Sequence, residues 1–392
     1  MLTGSVDGVL AEVRAGAPVS RELALELISC SDATLPALLD CASLMREQYK
    51  GRVISYSRKV FLPLTNLCRD YCGYCTFRRD PGQHGAHTMT PEEVLRIARL
   101  GEEFGCTEAL FSLGDKPEAV FPEMREFLSR MGYRSTLHYL EAMCELVLRE
   151  TSLIPHANPG LMSREWLARL REVSPSLGLM LETTNATIAA HADRCVDKEP
   201  AKRLRVLEEA GELGIPFTTG ILIGIGESLA DRVDALLAIR AVQDRCGHIQ
   251  EVIVQNFRAK SSIPMASWPS LEAMDMLRTV AVARLILRDM NLQSPPNLSS
   301  DSFPQLLDAG INDWGGVSPL TPDFINPEAP WPHLAELQAK TEERGFELKQ
   351  RLPVYPEYLP AELQRETLAA ARLRNVAGAD GFAQPAIAAR CA

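Results

Sequence analysis

The sequence of 392 residues lacks several features that would indicate a membrane, secreted or nucleic-acid-binding protein. It has no apolar run near the ~20 residues that a membrane-spanning helix requires. Residues 1–7 lack the basic and apolar regions of a signal peptide. The net charge is −10, so the chain has no basic excess of the kind that nucleic-acid binding requires. We therefore expect a cytoplasmic protein that binds neither membranes nor nucleic acids.

The sequence also lacks a disulfide framework, although it contains ten cysteines. Three of them share one short loop, and the others form no second C-x-x-C pair. The remaining cysteines are Cys30, Cys41, Cys106, Cys144, Cys195, Cys246 and Cys391. Most of these lie in apolar stretches with helical or strand-like patterns, so we expect reduced, buried thiols rather than disulfides. Cysteine chemistry is therefore expected at one place only.

The shared loop reads Cys68-Arg69-Asp70-Tyr71-Cys72-Gly73-Tyr74-Cys75. Three thiols at positions i, i+4 and i+7 of a short loop can bind one small group together. A structural zinc site needs four ligands, and no fourth cysteine or histidine lies close by. Three thiolates that leave one position open for a substrate suit an iron–sulfur cluster instead. The alternative is three buried thiols without a chemical role.

From residue 53 onward, short apolar runs alternate with amphipathic stretches, which is the pattern of repeated βα units around a parallel sheet. The predicted strands lie near residues 58–64, 107–113, 152–156, 177–182, 216–223, 250–256, 292–298 and 311–317. Seven or eight such units match the size of an α/β barrel of the TIM type, with a doubly wound open sheet as the rival fold. We place a helical N-terminal extension at residues 1–52, the (β/α) barrel at 53–335, and a C-terminal helical segment and tail at 336–392.

The cysteine loop resembles the C-x3-C-x2-C motif of radical S-adenosylmethionine (SAM) enzymes, including the aromatic residue before the last cysteine. The resemblance implies a radical SAM (β/α) barrel, full or nearly full. It implies a 4Fe-4S cluster bound by Cys68, Cys72 and Cys75. It also implies that this cluster passes an electron to SAM, which splits into methionine and a 5′-deoxyadenosyl radical.

The same resemblance implies that SAM binds at the ends of the following strands. The implied SAM-binding residues are Tyr74, Ser112, Gly114, Asp115, Glu182, Arg203 and Gly224. Glu182 is expected to bond the ribose hydroxyls, and Arg203 the methionine carboxylate. The segment from Ser112 to Asp115 resembles the one that binds the SAM amino group, although it departs from the commoner Gly-Gly-Glu. The glycines at 224 and 226 do not form a dinucleotide-binding fingerprint, because Leu229 occupies the third glycine position.

Three segments, 61–77, 155–160 and 310–319, are similar to the CofG-type subunit of deazaflavin synthases. In that family, a CofH-type partner enzyme joins tyrosine to 5-amino-6-(ribitylamino)uracil. The CofG-type enzyme then takes a hydrogen from the adduct, closes the ring and releases ammonia. The product is 7,8-didemethyl-8-hydroxy-5-deazariboflavin, the chromophore of coenzyme F-420. The resemblance thus implies a radical SAM lyase that works with a CofH-type enzyme and a low-potential electron donor, a ferredoxin or flavodoxin.

Polar residues at the strand ends are candidates for contact with the organic substrate. We predict catalytic roles for His156, Asn158 and Asp313, with His156 as an acid or base. Two other functions stay open. One is that of another radical SAM barrel enzyme, CofH-like or of the menaquinone pathway. The other is that of an iron–sulfur protein without SAM chemistry.

Overall fold

The structure, a computed structural model, describes residues 6–191 and 194–384. Its strands are β1 (Val53–Thr65), β2 (Glu108–Leu113), β3 (Ile154–Asn158), β4 (Ser176–Gly178), β5 (Phe217–Ile223), β6 (Ile249–Asn256), β7 (Leu292–Gln293), β8 (Asp313–Val317) and β9 (Glu347–Arg351). They form one parallel sheet in the order β2-β3-β4-β5-β6-β7-β8-β1-β9. Strand β1 also pairs with β2, which closes the first eight strands into a barrel. The predicted TIM-type (β/α) barrel is confirmed, and the doubly wound open sheet is excluded.

Helices connect most of the barrel strands. They are α1 (Val6–Arg14), α2 (Arg21–Ile28), α3 (Leu35–Lys50), α4 (Pro91–Glu103), α5 (Pro122–Arg130), α6 (Thr136–Glu150), α7 (Arg164–Val173), α8 (Pro200–Glu212), α9 (Leu229–Cys246), α10 (Ala273–Leu287), α11 (Leu334–Glu343), α12 (Leu359–Leu363) and α13 (Leu368–Val376). Thr90 and Ser228 cap α4 and α9, and Glu93 and Asp231 complete the two capping boxes. The N-terminal helices α2 and α3 pack on α9 and α10, outside the barrel.

The apolar core lies between the strands and the helices rather than inside the barrel. Along β1, Val60, Leu62 and Leu64 are fully buried in this core. Lys59 and Phe61 alternate with them and face the barrel interior, as the period of two along a strand requires. The barrel interior therefore contains polar side chains and a cavity.

Strand β9 is a feature that the sequence pattern does not predict. Four of its five residues are charged or polar, which is a composition typical of edge strands rather than of buried ones. It pairs with residues 53–57 of β1, and its last residue, Arg351, reaches the interior of the barrel. The C-terminal segment therefore takes part in the barrel.

Arg351 is 4% exposed, and its guanidinium meets carboxylates from three strands. Its Nε lies 2.8 Å from Asp313, its Nη2 2.9 Å from Glu251, and its Nη1 3.9 Å from Glu108. The same carboxylates accept hydrogen bonds from the hydroxyl groups of Ser55, Ser57, Thr218 and Tyr355. We call Arg351 with its three carboxylates the Arg351 network. In this network each charge has a partner of opposite sign, whereas burial of an unpaired charge would cost much free energy.

Among the described residues, no helix has both the length and the apolar character needed to cross a membrane. The nine cysteines within this part of the chain are free thiols, as expected. Cys391 lies outside the described residues.

Replacing Arg351 by methionine should lower the free energy of unfolding by about 3–5 kcal/mol, because it leaves buried carboxylates without their cation. Lys349→Met on the same strand is the matched control. Lys349 makes only solvent-exposed ion pairs, with Asp380 and Glu347, so we expect a loss of less than about 1 kcal/mol. The measurement is denaturant unfolding of both variants, and equal losses would contradict the role assigned to the network.

Candidate active site

One cavity of about 370 Å³ extends through the barrel from the cysteine loop to the Arg351 network. Each of the nine strands contributes at least one lining residue. Most of the residues predicted to bind or react meet here. They are Cys68, Cys72, Cys75, Tyr74, Ser112, Gly114, Asp115, His156, Asn158, Glu182 and Arg203. Gly224 and Asp313 do not line the cavity.

The cysteine loop follows β1 directly and is held by close contact with the end of β2. A Cβ atom on Gly114 would lie 1.9 Å from the carbonyl oxygen of Leu67, so only glycine fits at this position. The backbone N–H of Asp115 donates to the Sγ of Cys68 at 3.2 Å. Gly114 therefore positions the first cysteine, whether or not it also contacts SAM as the sequence predicts.

The three cysteine sulfurs fit a multi-iron cluster better than a single metal ion. Zinc–thiolate bonds of about 2.3 Å would bring the sulfurs of a tetrahedral site within about 3.8 Å of one another. Among the described residues, the ligand atoms of Asp70, Asp115 and Asp197 all lie within 4.8 Å of one another. The sulfurs of the three loop cysteines do not meet this limit. Soft thiolates with a wider spacing are the donor set of an iron–sulfur cluster.

Two of the three aspartates beside the loop, Asp115 and Asp197, pair with cations of the chain, and Asp70 accepts a hydrogen bond from the backbone N–H of Asp197 at 3.2 Å. Arg69 bonds both carboxylate oxygens of Asp197 at 2.5 Å. Lys116 Nζ lies 3.5 Å from Asp115 and 3.7 Å from Asp197. Burial raises the pKa of Asp115 to about 6. The ion pair between Arg69 and Asp197 joins the cysteine loop to the segment before α8.

Cys195 is a fourth thiol at the cysteine loop. Its Sγ lies 3.7 Å from the Sγ of Cys72, and both side chains are buried. The hydrogen bond from Cys195 lowers the pKa of Cys72 to about 7, whereas burial raises the pKa of Cys68 to about 12. Because 123 residues separate Cys72 from Cys195, no local spacing reveals the contact.

Glu182 lies four residues after β4 in a left-handed backbone conformation, with φ at +67°. Such a conformation in a buried non-glycine residue is typical of functional sites. Lys198 Nζ donates to its carboxylate at 2.5 Å. Burial raises the pKa of Glu182, but Lys198 and Arg203 outweigh burial and set the pKa below its usual value. Glu182 is therefore an ionised acceptor that faces the cavity.

The sequence pattern did not predict a role for Lys198, because a single cation just before the predicted helix start at Pro200 does not stand out. Arg203 follows in the first turn of α8 and is 3% exposed. It donates from Nε to the carbonyl of Asp197 at 3.0 Å and from Nη1 to the carbonyl of Met180. Its Nη2 makes no hydrogen bond to the described residues and remains a donor for an anionic group in the cavity.

Tyr74, between the last two cysteines, also belongs to this region. Its hydroxyl lies 3.0 Å from the Nε2 of His191. Burial lowers the pKa of His191 to about 4, so the ring is neutral at pH 7. Lys198 Nζ lies 5.7 Å from the centre of the Tyr74 ring. The aromatic residue of the motif is thus fixed beside Glu182 and Lys198.

His156 and Asn158 lie together on the wall formed by β3 and β4. The Nδ1 of His156 is 2.6 Å from the Oγ of Ser176. A Cβ on Gly178 would lie 2.0 Å from the Oδ1 of Asn158 and 3.2 Å from the Nε2 of His156. Burial lowers the pKa of His156 to about 4. His156 is therefore a neutral imidazole at pH 7, with one nitrogen that donates and one that accepts a hydrogen bond.

Two predicted residues have other surroundings. Asp313 is fully buried in the Arg351 network, where it also accepts a hydrogen bond from the backbone N–H of Gly315 at 2.5 Å. This placement supports a structural role for Asp313, and its predicted catalytic role stays a prediction. Gly224 has a φ of +89°, and its backbone N–H donates a hydrogen bond to the carboxylate of Glu227 at 2.8 Å. Its implied contact with SAM stays a prediction.

Comparisons with known proteins agree with this site. A family profile described as the radical SAM superfamily matches residues 62–239. An FO synthase of Mycobacterium tuberculosis is 53% identical over 344 residues, which are 85% of this chain and 40% of that protein. A 7,8-didemethyl-8-hydroxy-5-deazariboflavin synthase of Methanopyrus kandleri is 49% identical over 310 residues, 78% of this chain and 93% of that protein. The chain thus spans less than half the length of the mycobacterial relative.

Among solved structures, the FeFe-hydrogenase maturase HydG from Carboxydothermus hydrogenoformans superposes with a TM-score of 0.71. The alignment covers 94% of this chain and 89% of that one, at 19% identity. This likeness supports the barrel fold alone.

Replacing Cys72 by serine should abolish cluster assembly, because it removes one of three thiolate ligands. Cys195→Ser is the matched control, since it changes the neighbouring sulfur and leaves the three loop cysteines intact. We expect its iron and sulfide contents after anaerobic reconstitution to equal those of the unmodified protein. Loss of the cluster in Cys195→Ser, or its retention in Cys72→Ser, would contradict this assignment.

Proposed function

Since the chain belongs to the radical SAM family of 7,8-didemethyl-8-hydroxy-5-deazariboflavin synthases, we propose that it catalyses the ring-closing step of deazaflavin synthesis. The substrate is the adduct of tyrosine with 5-amino-6-(ribitylamino)uracil, and ammonia is released. The observation that carries the proposal is that the cysteine loop and the polar barrel interior face one cavity. A radical made at the mouth of that cavity meets a substrate held inside it.

The residues that would hold the cluster are Cys68, Cys72 and Cys75. When bound and reduced, a 4Fe-4S cluster supplies the electron that splits SAM into methionine and a 5′-deoxyadenosyl radical. The chain contributes a loop fixed by Gly114 and a backbone N–H donated to Cys68. Such N–H bonds to cluster sulfurs help to set the reduction potential of the cluster.

The SAM site lies between Ser112–Asp115 on one side and Glu182, Lys198 and Arg203 on the other. The ionised Glu182 accepts hydrogen bonds from the ribose hydroxyls, and Arg203 pairs with the methionine carboxylate. Lys198 keeps Glu182 charged before SAM arrives. Tyr74 and Gly224 are the remaining candidates for contact with SAM.

The organic substrate occupies the deeper part of the cavity, next to His156 and Asn158. The neutral His156 and the Asn158 amide are suited to bind and orient the substrate through hydrogen bonds, and the acid or base role of His156 stays a prediction. The enclosing loop at 318–332 contributes Asp323, Asn326 and Trp331 to the lining, which helps to exclude water.

Two partners complete the proposal. A CofH-type enzyme supplies the adduct, and a ferredoxin or flavodoxin supplies the electron. The match to 93% of the archaeal synthase supports the ring-closing step proposed for these residues. The CofH-like, menaquinone-pathway and non-SAM alternatives lack a comparable argument.

Changing Glu182 to glutamine should weaken SAM binding about tenfold, because hydrogen bonds to a charged group are worth about 1.5–3 kcal/mol. Glu199→Gln is the matched control, since Glu199 is half exposed and pairs only with Lys202. SAM affinity is measured by anaerobic equilibrium dialysis on the reconstituted protein. Unchanged affinity in Glu182→Gln, with a normal iron content, would remove Glu182 from the SAM site.

The proposed reaction is tested by adding SAM, a reductant and the adduct to the reconstituted protein under anaerobic conditions. Mass spectrometry should detect both 5′-deoxyadenosine and 7,8-didemethyl-8-hydroxy-5-deazariboflavin, and neither with Cys72→Ser. Deoxyadenosine without the deazaflavin would retain radical SAM chemistry but reject the substrate. Neither product from a fully loaded cluster would favour an iron–sulfur protein without SAM chemistry.

A further inference from the structure

Lys59 is a buried cation in the cavity that the proposed chemistry does not use. The residue is 8% exposed and lies on β1, facing the barrel interior. Within the described chain, its Nζ makes no hydrogen bond or ion pair. The centres of the Trp331 and Phe61 rings lie 5.3 Å and 5.8 Å away. A buried ammonium group without a direct acceptor is costly unless a ligand supplies one.

Gln293 provides a complementary group on β7. The residue is 3% exposed and lines the same cavity. Its Nε2 donates to the carbonyl of Trp314 at 3.4 Å, but its Oε1 is buried and has no partner in the described part of the chain. An unsatisfied buried amide oxygen also costs free energy unless a donor reaches it.

Two adjacent glycines of β8 create the space for these side chains. A Cβ on Gly315 would lie 2.2 Å from the Nε2 of Gln293, and one on Gly316 would lie 2.3 Å from the Nζ of Lys59. Gly315 also has a φ of +74°. Lys59 and Gln293 therefore pack over neighbouring positions of one strand. They present an unpaired donor and an unpaired acceptor to the same end of the cavity.

We propose that Lys59 and Gln293 bind the pyrimidinedione ring of the substrate. This inference rests on the proposed function. A pyrimidinedione presents an imide edge, in which ring carbonyl oxygens flank an N–H group. The Lys59 ammonium donates to a ring carbonyl, and the Gln293 Oε1 accepts from the imide N–H. Trp331 and Phe61 border the donor with flat apolar surfaces that suit a planar ring.

The position along the strand suits this role. Strand β1 ends at Thr65, six positions or about 20 Å of strand beyond Lys59, and the cysteine loop begins three residues later at Cys68. A ring held at Lys59 therefore leaves room toward the cysteine loop for SAM and for the tyrosine-derived part of the substrate. Burial lowers the pKa of Lys59 below its usual value, and the nearby carboxylates of Glu108, Asp323 and Glu251 limit this decrease.

The test uses the fluorescent product, 7,8-didemethyl-8-hydroxy-5-deazariboflavin, because it contains the same pyrimidinedione ring. It is titrated under anaerobic conditions into the reconstituted protein with SAM present. We expect Lys59→Met to raise the Kd at least tenfold and Gln293→Met to raise it about threefold to tenfold. Lys340→Met, at an exposed helical position paired with Glu343, is the control and should leave the Kd unchanged.

A second ligand tests the Gln293 contact without relying on the folding of a variant. The N3-methyl derivative of the product lacks the imide N–H, so the unmodified protein should bind it about threefold to tenfold more weakly than the product. Gln293→Met should bind both ligands equally. Equal affinity of the unmodified protein for both ligands would overturn the proposal, as would a Lys59→Met variant with native iron content and an unchanged Kd. Failure of the proposed function is distinguished separately, because the unmodified enzyme would then form no deazaflavin from the adduct.

Discussion

The contact between the Arg351 guanidinium and three carboxylates is the constraint on which the hollow barrel depends. TIM-type barrels usually fill their interior with layers of branched apolar side chains. Here Glu108, Glu251 and Asp313 enter the interior from three strands, and their repulsion would oppose closure without a buried cation. The cation comes from β9, which pairs beside β1. The C-terminal segment thus makes a polar cavity compatible with a stable barrel.

Glycine residues, which have no side chain, also determine the shape of the cavity. Gly114 lets the cysteine loop approach the end of β2, and Gly178 leaves room for Asn158. Gly315 and Gly316 do the same for Gln293 and Lys59. In each case a methyl group would collide with a polar group or with backbone. The glycines of the motifs therefore determine where neighbouring functional groups lie, a role that differs from direct ligand contact.

The sequence predicted those features of the structure that depend on interactions between residues close together in the chain. The cysteine spacing, the capping boxes at Thr90 and Ser228, and the strand positions all depend on residues close in sequence. Strand β9 was not predictable, because its charged residues are stabilised by pairing with β1 nearly 300 residues earlier. The contact of Cys195 was not predictable for the same reason, because Cys72 lies 123 residues earlier. The surroundings of Asp313 were not predictable either, because its partner Arg351 lies 38 residues later in the chain.

The two ends of the cavity are built by different means, and the difference matters for a radical reaction. At the mouth, the cysteines, Glu182 and Lys198 lie on loops that ion pairs hold together. At the closed end, Lys59 and Gln293 lie on strands whose positions the barrel fixes. A hydrogen atom can be taken selectively only if the substrate is held still while the radical approaches it. Strand-borne groups suit the proposed substrate anchor, and loop-borne groups suit the proposed cofactor site.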